Sequence, residues 1–263
     1  MYMRDRVDTL AKIIAVANQK GGVGKTTTAV NLSACLADKG KRVLLADMDP
    51  QGNATSGLGK ADAEGNTIYD VLLGEAAAAD AVLPTGYGTL DLLPTAIELA
   101  GAEIELVGMD DRETLLRRAL EPLRARYDYI LIDCPPSLSL LTINALTAAD
   151  SVLIPIQCEY YALEGLGQLM NTVKLMRRKL NPDLSIEGIL LTMFDARTNL
   201  CAQVVQEVRA HFPDEVFETM IPRNIRLSEA PSYGRPIHLY DARCIGARAY
   251  GELADELIHR SEV

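Results

Sequence analysis

Apolar residues in this chain fall into short unbroken runs, separated by longer stretches with a three-to-four-residue rhythm. Ile13 to Ala17 is the first run and Val43 to Ala46 the second, and neither alternates with polar residues. Such runs suit strands buried on both faces of a sheet. Between them, Thr26 to Lys39 carries apolar residues on nearly every side, as a helix pressed against a sheet does, and Gly40 stands where a left-handed glycine would stop it. The alternation continues with strands at Leu90 to Leu93, Tyr129 to Ile132, Val152 to Ile156 and Ile186 to Met193. Helices are predicted at Arg112 to Arg126, Leu140 to Ala148, Leu163 to Leu180, Ala202 to Phe212 and Ala247 to His259. Gly57 to Gly88 is the least regular stretch and reads as an insertion at a sheet edge. The pattern predicts one α/β domain over 1–263, with a mainly parallel, twisted sheet, helices on both faces and a polar tail over 1–11. Strand order is left open.

Composition narrows the class. The chain has 263 residues, long enough to bury a core without a disulfide or metal staple. Lys and Arg number 26 against 36 Asp and Glu, a net charge of −10, which argues against a surface coated in nucleic acid but leaves room for a local basic patch. Five scattered cysteines form no C-x-x-C pair, so zinc-ribbon and thioredoxin-like chemistry have no support and reduced thiols are expected. The first twelve residues lack the apolar core of a signal peptide, and no apolar run approaches the 18 or so residues of a membrane span. The expectation is a soluble cytoplasmic protein.

The strongest chemical signal is Asn18-Gln19-Lys20-Gly21-Gly22-Val23-Gly24-Lys25-Thr26-Thr27-Thr28, set between a predicted strand and a predicted helix. Glycines there let backbone N–H groups curl around phosphate oxygens, and the helix N-terminus adds positive potential. In a phosphate loop, Lys25 reaches the β/γ oxygens of a nucleotide and the Thr26 hydroxyl binds Mg²⁺. Gln19 occupies the first glycine of the usual pattern, and an extra lysine, Lys20, precedes the glycines. The plainer alternative is a glycine-rich turn with solvated lysines.

Together with RVLLADMDPQGNATSGLG, YDYILIDCPPSL, LTMFDARTNL and IPRNIRLSEAPSYG, this segment resembles the deviant Walker A ATPases, specifically the ParA/Soj chromosome-partitioning branch of the MinD/ParA superfamily. The resemblance runs from about Lys12 to His259 and implies a P-loop NTPase fold, with ATP and Mg²⁺ as cofactors. It makes Lys20 a signature lysine that reaches the partner's nucleotide across an ATP-sandwich homodimer, with Gly21 crowded at that contact. Asp47 and Asp49 are two apart at a strand end, so both can face one site. The resemblance implies that Asp49 positions the attacking water and that Asp47 supports it; a strand-terminating turn is the alternative. Asp133 matches a Walker B carboxylate that holds Mg²⁺ through water, and neighbouring Cys134 reads as a buried bystander. Pro222 and Asn224 match a loop packed against adenine, unless they form an ordinary turn.

Thr219 to Arg248 holds Arg223, Arg226, Arg235, Arg243 and Arg248 against Glu229 and Asp241, a local balance of +3. Such a patch suits salt-dependent, sequence-independent binding of double-stranded DNA. The resemblance adds Arg197, and solvated helix-capping arginines are the alternative. Lys174, Arg177, Arg178 and Lys179 end a predicted helix, where they complement its dipole. The implied partners are a second copy, non-specific DNA and a ParB-type centromere-binding protein that stimulates hydrolysis, with the protein on the nucleoid. A MinD-like membrane role is disfavoured, because GELADELIHRSEV is acidic and poor in aromatic anchors. An ATP-gated filament scaffold remains compatible with the sequence.

Overall fold

Period-two packing explains the unbroken apolar runs. Ile14 and Val16 join one buried cluster, and Ile13, Ala15 and Ala17 join another. Val43 and Leu45 divide from Leu44 and Ala46 in the same way, as do Tyr129 and Leu131 from Ile130 and Ile132. Each strand therefore feeds a core on either side of one sheet.

A computed structural model describes residues 10–159 and 162–262. The strands are β1 (Lys12–Val16), β2 (Val43–Asp47), β3 (Leu83–Tyr87), β4 (Leu90–Leu93), β5 (Tyr129–Asp133), β6 (Ser151–Gln157) and β7 (Ser185–Thr192). They form one seven-stranded sheet in the order β3-β4-β2-β5-β1-β6-β7. All neighbours run parallel except β3 and β4, which are antiparallel. Helices Lys25–Asp38 and Ile245–Glu262 pack on one face, where Leu32, Leu36, Tyr250, Leu253 and Leu257 are buried. Helices Ile68–Leu73, Leu99–Glu105, Leu115–Leu120, Leu140–Ala148 and Ala162–Lys179 cover the other. Among the described residues, no helix is long and apolar enough to cross a membrane.

Six of the seven strands lie within a residue or two of the sequence expectation; β3 was missed. Its sequence, LPTGY, contains Pro84 and Gly86, residues that weaken a strand and are tolerated at an edge. The stretch Gly57 to Gly88 does sit at the sheet edge, but it is more ordered than its pattern suggests. Helix Ile68–Leu73 starts with a capping box in which Thr67 and Asp70 bond each other's backbone end. The helix expected over Arg112 to Arg126 is interrupted. Only Leu115–Leu120 is α-helical, flanked by 3₁₀ turns at Arg112–Thr114 and Glu121–Leu123, and Pro122 has no N–H to continue the ladder. Short helices Asn53–Gly57, Ile225–Glu229 and Ile237–Tyr240 were also missed.

Candidate nucleotide site

The C-terminal ends of β2, β5 and β1 lie side by side, with Asp47 opposite Asp133 and Val16 opposite Asp133. From this point the chain crosses over in opposite directions, from β1 leftward to β2 and from β5 rightward to β6. Open α/β sheets bind their ligands at such a switch.

The glycine-rich loop leaves β1 here. Gly22 and Gly24 have φ of 74° and 86°, left-handed values that cost a side-chain-bearing residue. No side chain caps helix Lys25–Asp38, so its first N–H groups are left for an anion. Asn18 braces the loop by donating to the Pro155 carbonyl (2.7 Å) and accepting from the Lys20 N–H (2.9 Å). The Thr192 hydroxyl, at the end of β7, lies 2.9 Å from the Val23 carbonyl. Lys25 is buried, and its ammonium donates to the Lys20 carbonyl at 3.2 Å. Burial pulls its pKa below the ordinary value, against the charges of Asp133, Cys134 and Asp49. Gly21, Gly22, Gly24, Lys25, Thr26 and Thr27 line a cleft of about 330 Å³ that is completed by Asp49, Gln51, Asn53, Pro136 and Met193.

Three carboxylates border the loop in different environments. Asp133 is fully buried, and neither of its oxygens has a hydrogen-bond partner of normal geometry. Burial, reinforced by Asp47, pushes its pKa well above the usual carboxylate range, while the Thr26 hydroxyl and Lys25 pull the other way. Asp47 is also fully buried, but it accepts from the Thr55 N–H (2.8 Å) and the Thr55 hydroxyl (2.7 Å). The expectation that Asp47 and Asp49 face one site alike holds only in part. β2 ends at Asp47, which turns into the protein, and Asp49 lines the cleft from the turn beyond. There its Oδ1 accepts from the Gln51 N–H at 3.0 Å.

Lys20 lies at the mouth of the loop, with its ammonium 2.7 Å from the Glu159 carboxylate. Pro222 and Asn224 line an adjoining hollow of about 230 Å³, together with Gly24, Thr27, Met193 and Tyr250. Asn224 also caps helix Ile225–Glu229, its Oδ1 accepting from the Arg226 N–H at 2.8 Å. A third hollow, of about 280 Å³, lies between Thr26, Asn31, Asn53 and Arg235. At its side two loops touch without side chains, for a Cβ added to Gly234 would stand 2.6 Å from the Gly59 Cα.

Arg197, Arg223, Arg226, Arg235, Arg243 and Arg248 are all exposed. They are not equally available. Arg197 pairs with Asp195 at 2.6 Å, and Arg226 pairs with Glu229 at 2.7 Å. Cys134 is fully buried, and burial pushes its thiol far up, as expected for a bystander.

Sequence reasoning missed Thr55, Glu159 and Met193. Met193 walls both the cleft and the adjoining hollow with φ of 52°, a left-handed conformation that costs a non-glycine residue on the order of 1–3 kcal/mol. Its only signal was membership of the LTMFDARTNL segment.

Residues 11–186 match a family described as an AAA domain. The chain is 64% identical over 250 residues to the sporulation initiation inhibitor protein Soj of Bacillus subtilis (strain 168), covering 94% of this chain and 98% of Soj. It is 59% identical to the chromosome partitioning protein ParA of Myxococcus xanthus, over 96% of this chain and 89% of that one. The chain belongs to the ParA/Soj family of chromosome-partitioning ATPases. Among solved structures, that of cobyrinic acid a,c-diamide synthase from Mycobacterium smegmatis with bound ADP and magnesium is similar. It is 40% identical, covers 96% of both chains and has a TM-score of 0.84. Its name specifies another reaction, so the shared fold alone does not distinguish a ParA/Soj partition ATPase from a synthase. The higher identity to Soj and ParA does.

Proposed function

We infer that this ParA/Soj chain is an ATP-driven switch. ATP with Mg²⁺ closes a homodimer, the dimer holds double-stranded DNA non-specifically on the nucleoid in the cytoplasm, and hydrolysis stimulated by a ParB-type centromere-binding protein releases it. The observation that carries the nucleotide chemistry is Asp133. A buried carboxylate at the end of β5, neither oxygen of which has a hydrogen-bond partner of normal geometry, beside Lys25 and Thr26, is costly alone and fits a hydrated magnesium ion. Among the described residues, no group of three or more His, Cys, Asp and Glu forms a metal cage. That suits an ion completed by nucleotide oxygens and water rather than by protein.

In this reading the loop amides and Lys25 hold the β- and γ-phosphates, and Thr26 and Asp133 hold Mg²⁺. Bound there, magnesium neutralises charge on the phosphates. Asp49, in the cleft, orients and polarises the attacking water. Asp47 works at one remove, by fixing Thr55 and the turn that presents Asp49. Lys20 leaves Glu159 to reach the partner's nucleotide, supplying transition-state charge as an arginine finger does. Pro222 packs on adenine and Asn224 reads its edge. The exposed arginines hold DNA phosphates, and dimerisation doubles the patch.

The test is fluorescence anisotropy of a random-sequence duplex titrated with protein in ATP, ADP or no nucleotide, across a salt series. Binding is expected only with ATP, to be tighter for Asp49→Ala, and to weaken steeply with salt. Equal binding in every nucleotide state, or none in any, would overturn the switch.

A further inference from the structure

Two thiols meet beside Glu159, the residue that holds Lys20. Cys158 directly follows β6, and Cys201 lies in the first turn of helix Asn199–His211. Both are buried in the same apolar cluster as Leu166 and Val204. The Cys201 thiol donates to the Cys158 carbonyl, with Sγ 3.5 Å from the oxygen, and the Cys158 thiol lies within hydrogen-bond reach of Cys201. The Cys158 N–H in turn donates to the Thr192 carbonyl at 3.2 Å. Both ends of the segment 193–198 are therefore seated on Cys158. That segment carries Met193, which walls the cleft, and the exposed Arg197. Nothing in the nucleotide chemistry above uses either thiol.

We propose that Cys158 and Cys201 are a redox couple: a peroxide joins them as a disulfide, and the bond keeps Lys20 on Glu159 and the protein out of its DNA-binding state. Cys201 is the more exposed of the two, 7% against 4%, so it meets the oxidant first. Its sulfur takes one oxygen from hydrogen peroxide, forming a sulfenic acid and releasing water. The Cys158 sulfur then displaces that oxygen, which leaves as a second water with the Cys158 thiol proton. In sum, two thiols give up two protons and two electrons, and one peroxide becomes two waters. A dithiol reverses the bond by exchange. Burial pushes the Cys158 thiol up to about 12, so it attacks slowly near neutral pH and the couple answers sustained rather than passing oxidation. In a reducing compartment a bond of this kind is transient and suits sensing rather than stapling.

The backbone carries the effect to the site. The Glu159 N–H donates to the Gln157 carbonyl at 2.7 Å, so Cys158 sits at the centre of a tight turn. A bond at its sulfur fixes that turn against helix Asn199–His211, and with it the carboxylate 2.7 Å from the Lys20 ammonium. The proposal rests on the reading that Lys20 must leave Glu159 for the switch to close.

The test uses the full-length protein, reduced, treated with hydrogen peroxide, quenched with catalase and blocked with iodoacetamide. A non-reducing peptide map should show the Cys158 peptide joined to the Cys201 peptide, two hydrogens lighter than their sum. Oxidation should weaken ATP-dependent binding of a random-sequence duplex at least tenfold, and dithiothreitol should restore it to within twofold. Cys158→Ala and Cys201→Ala should each bind the duplex like reduced wild type, form no linked peptide and keep their affinity after peroxide. Either alanine alone removes the bridge, so one folded variant suffices. Peroxide-treated wild type without the linked peptide would overturn the proposal, as would a linked protein that still binds DNA fully. An equal loss of binding in the variants would also overturn it, by assigning the effect to another residue. Reduced wild type that fails to bind DNA with ATP would sink the switch and the regulatory half of the proposal, while the linked peptide still decides the couple.

Discussion

Thr55 shows how a residue in a short helix can govern a carboxylate at a strand end. Burial pushes Asp47 up to about 6, and the Thr55 hydroxyl, the Thr55 N–H and the Asp49 N–H hold it back. Thr55→Val keeps the shape but removes the hydroxyl, leaving a buried carboxylate short of a donor. A loss of about 1–3 kcal/mol in urea unfolding is expected. Asp49→Ala should leave the fold intact and spare ATP affinity, measured with a fluorescent analogue, while lowering phosphate release at least a hundredfold, since Asp49 meets the cleft and not the core. The loop residues were legible because their chemistry is contiguous in sequence. Thr55, Glu159 and Met193 were not, because each owes its role to contacts or backbone geometry created by folding. Asp47 and Asp49 show the limit of spacing, since strand alternation stops where the strand does.

At the scale of elements, helix Ile245–Glu262 anchors the segment after helix Asn199–His211. Glu256 accepts from the Glu218 N–H (2.8 Å) and the Thr219 N–H (2.9 Å) and pairs with Arg260 (2.8 Å), whose guanidinium lies 4.3 Å from the Phe217 ring centroid. Burial raises the Glu256 pKa, but the two N–H groups, the Thr219 side chain and Arg260 outweigh it, so the folded value lies below the ordinary 4.5. A carboxylate with a depressed folded pKa binds its proton more readily in the unfolded chain. Its contribution is therefore complete above pH 4.5 and is lost as pH falls through the folded value. Glu256→Gln should cost ~1 kcal/mol at pH 7, and urea titrations of the two proteins should converge as pH drops below 4.5. Strands buried on both faces were readable from their unbroken apolar runs. The antiparallel β3 and the interrupted helix after Arg112 were not, because an edge strand makes few demands on its sequence and Pro122 was read within a helix-like rhythm.

Across the whole molecule, charge is uneven along the chain. A net −10 includes an arginine-bearing segment of +3 over Thr219 to Arg248 and a stretch over residues 97–111 with five carboxylates and no Lys or Arg, contrasts that the total alone does not reveal. Arg243→Ala should weaken DNA binding alike for unrelated sequences and reduce the slope of log affinity against log salt by about 1, as loss of one phosphate contact does. Arg197→Ala should do more, because it also leaves the Asp195 carboxylate facing the DNA without its partner.

The backbone contact between Gly59 and Gly234 has a mechanical consequence. One loop follows the turn that bears Asp49, and the other lies next to Arg235. With no side chain between them, the two backbones meet directly, so a displacement of the first would press on the second. The Tyr87 hydroxyl steadies that junction by donating to the Gly234 carbonyl at 2.7 Å. Gly234→Ala places a methyl group 2.6 Å from Gly59 at a backbone φ of 60°, so the junction must open. Nucleotide affinity should persist in that variant, while the difference in DNA affinity between ATP and ADP collapses. Paired anisotropy titrations would register the molecule as an ATPase that has lost its transmission.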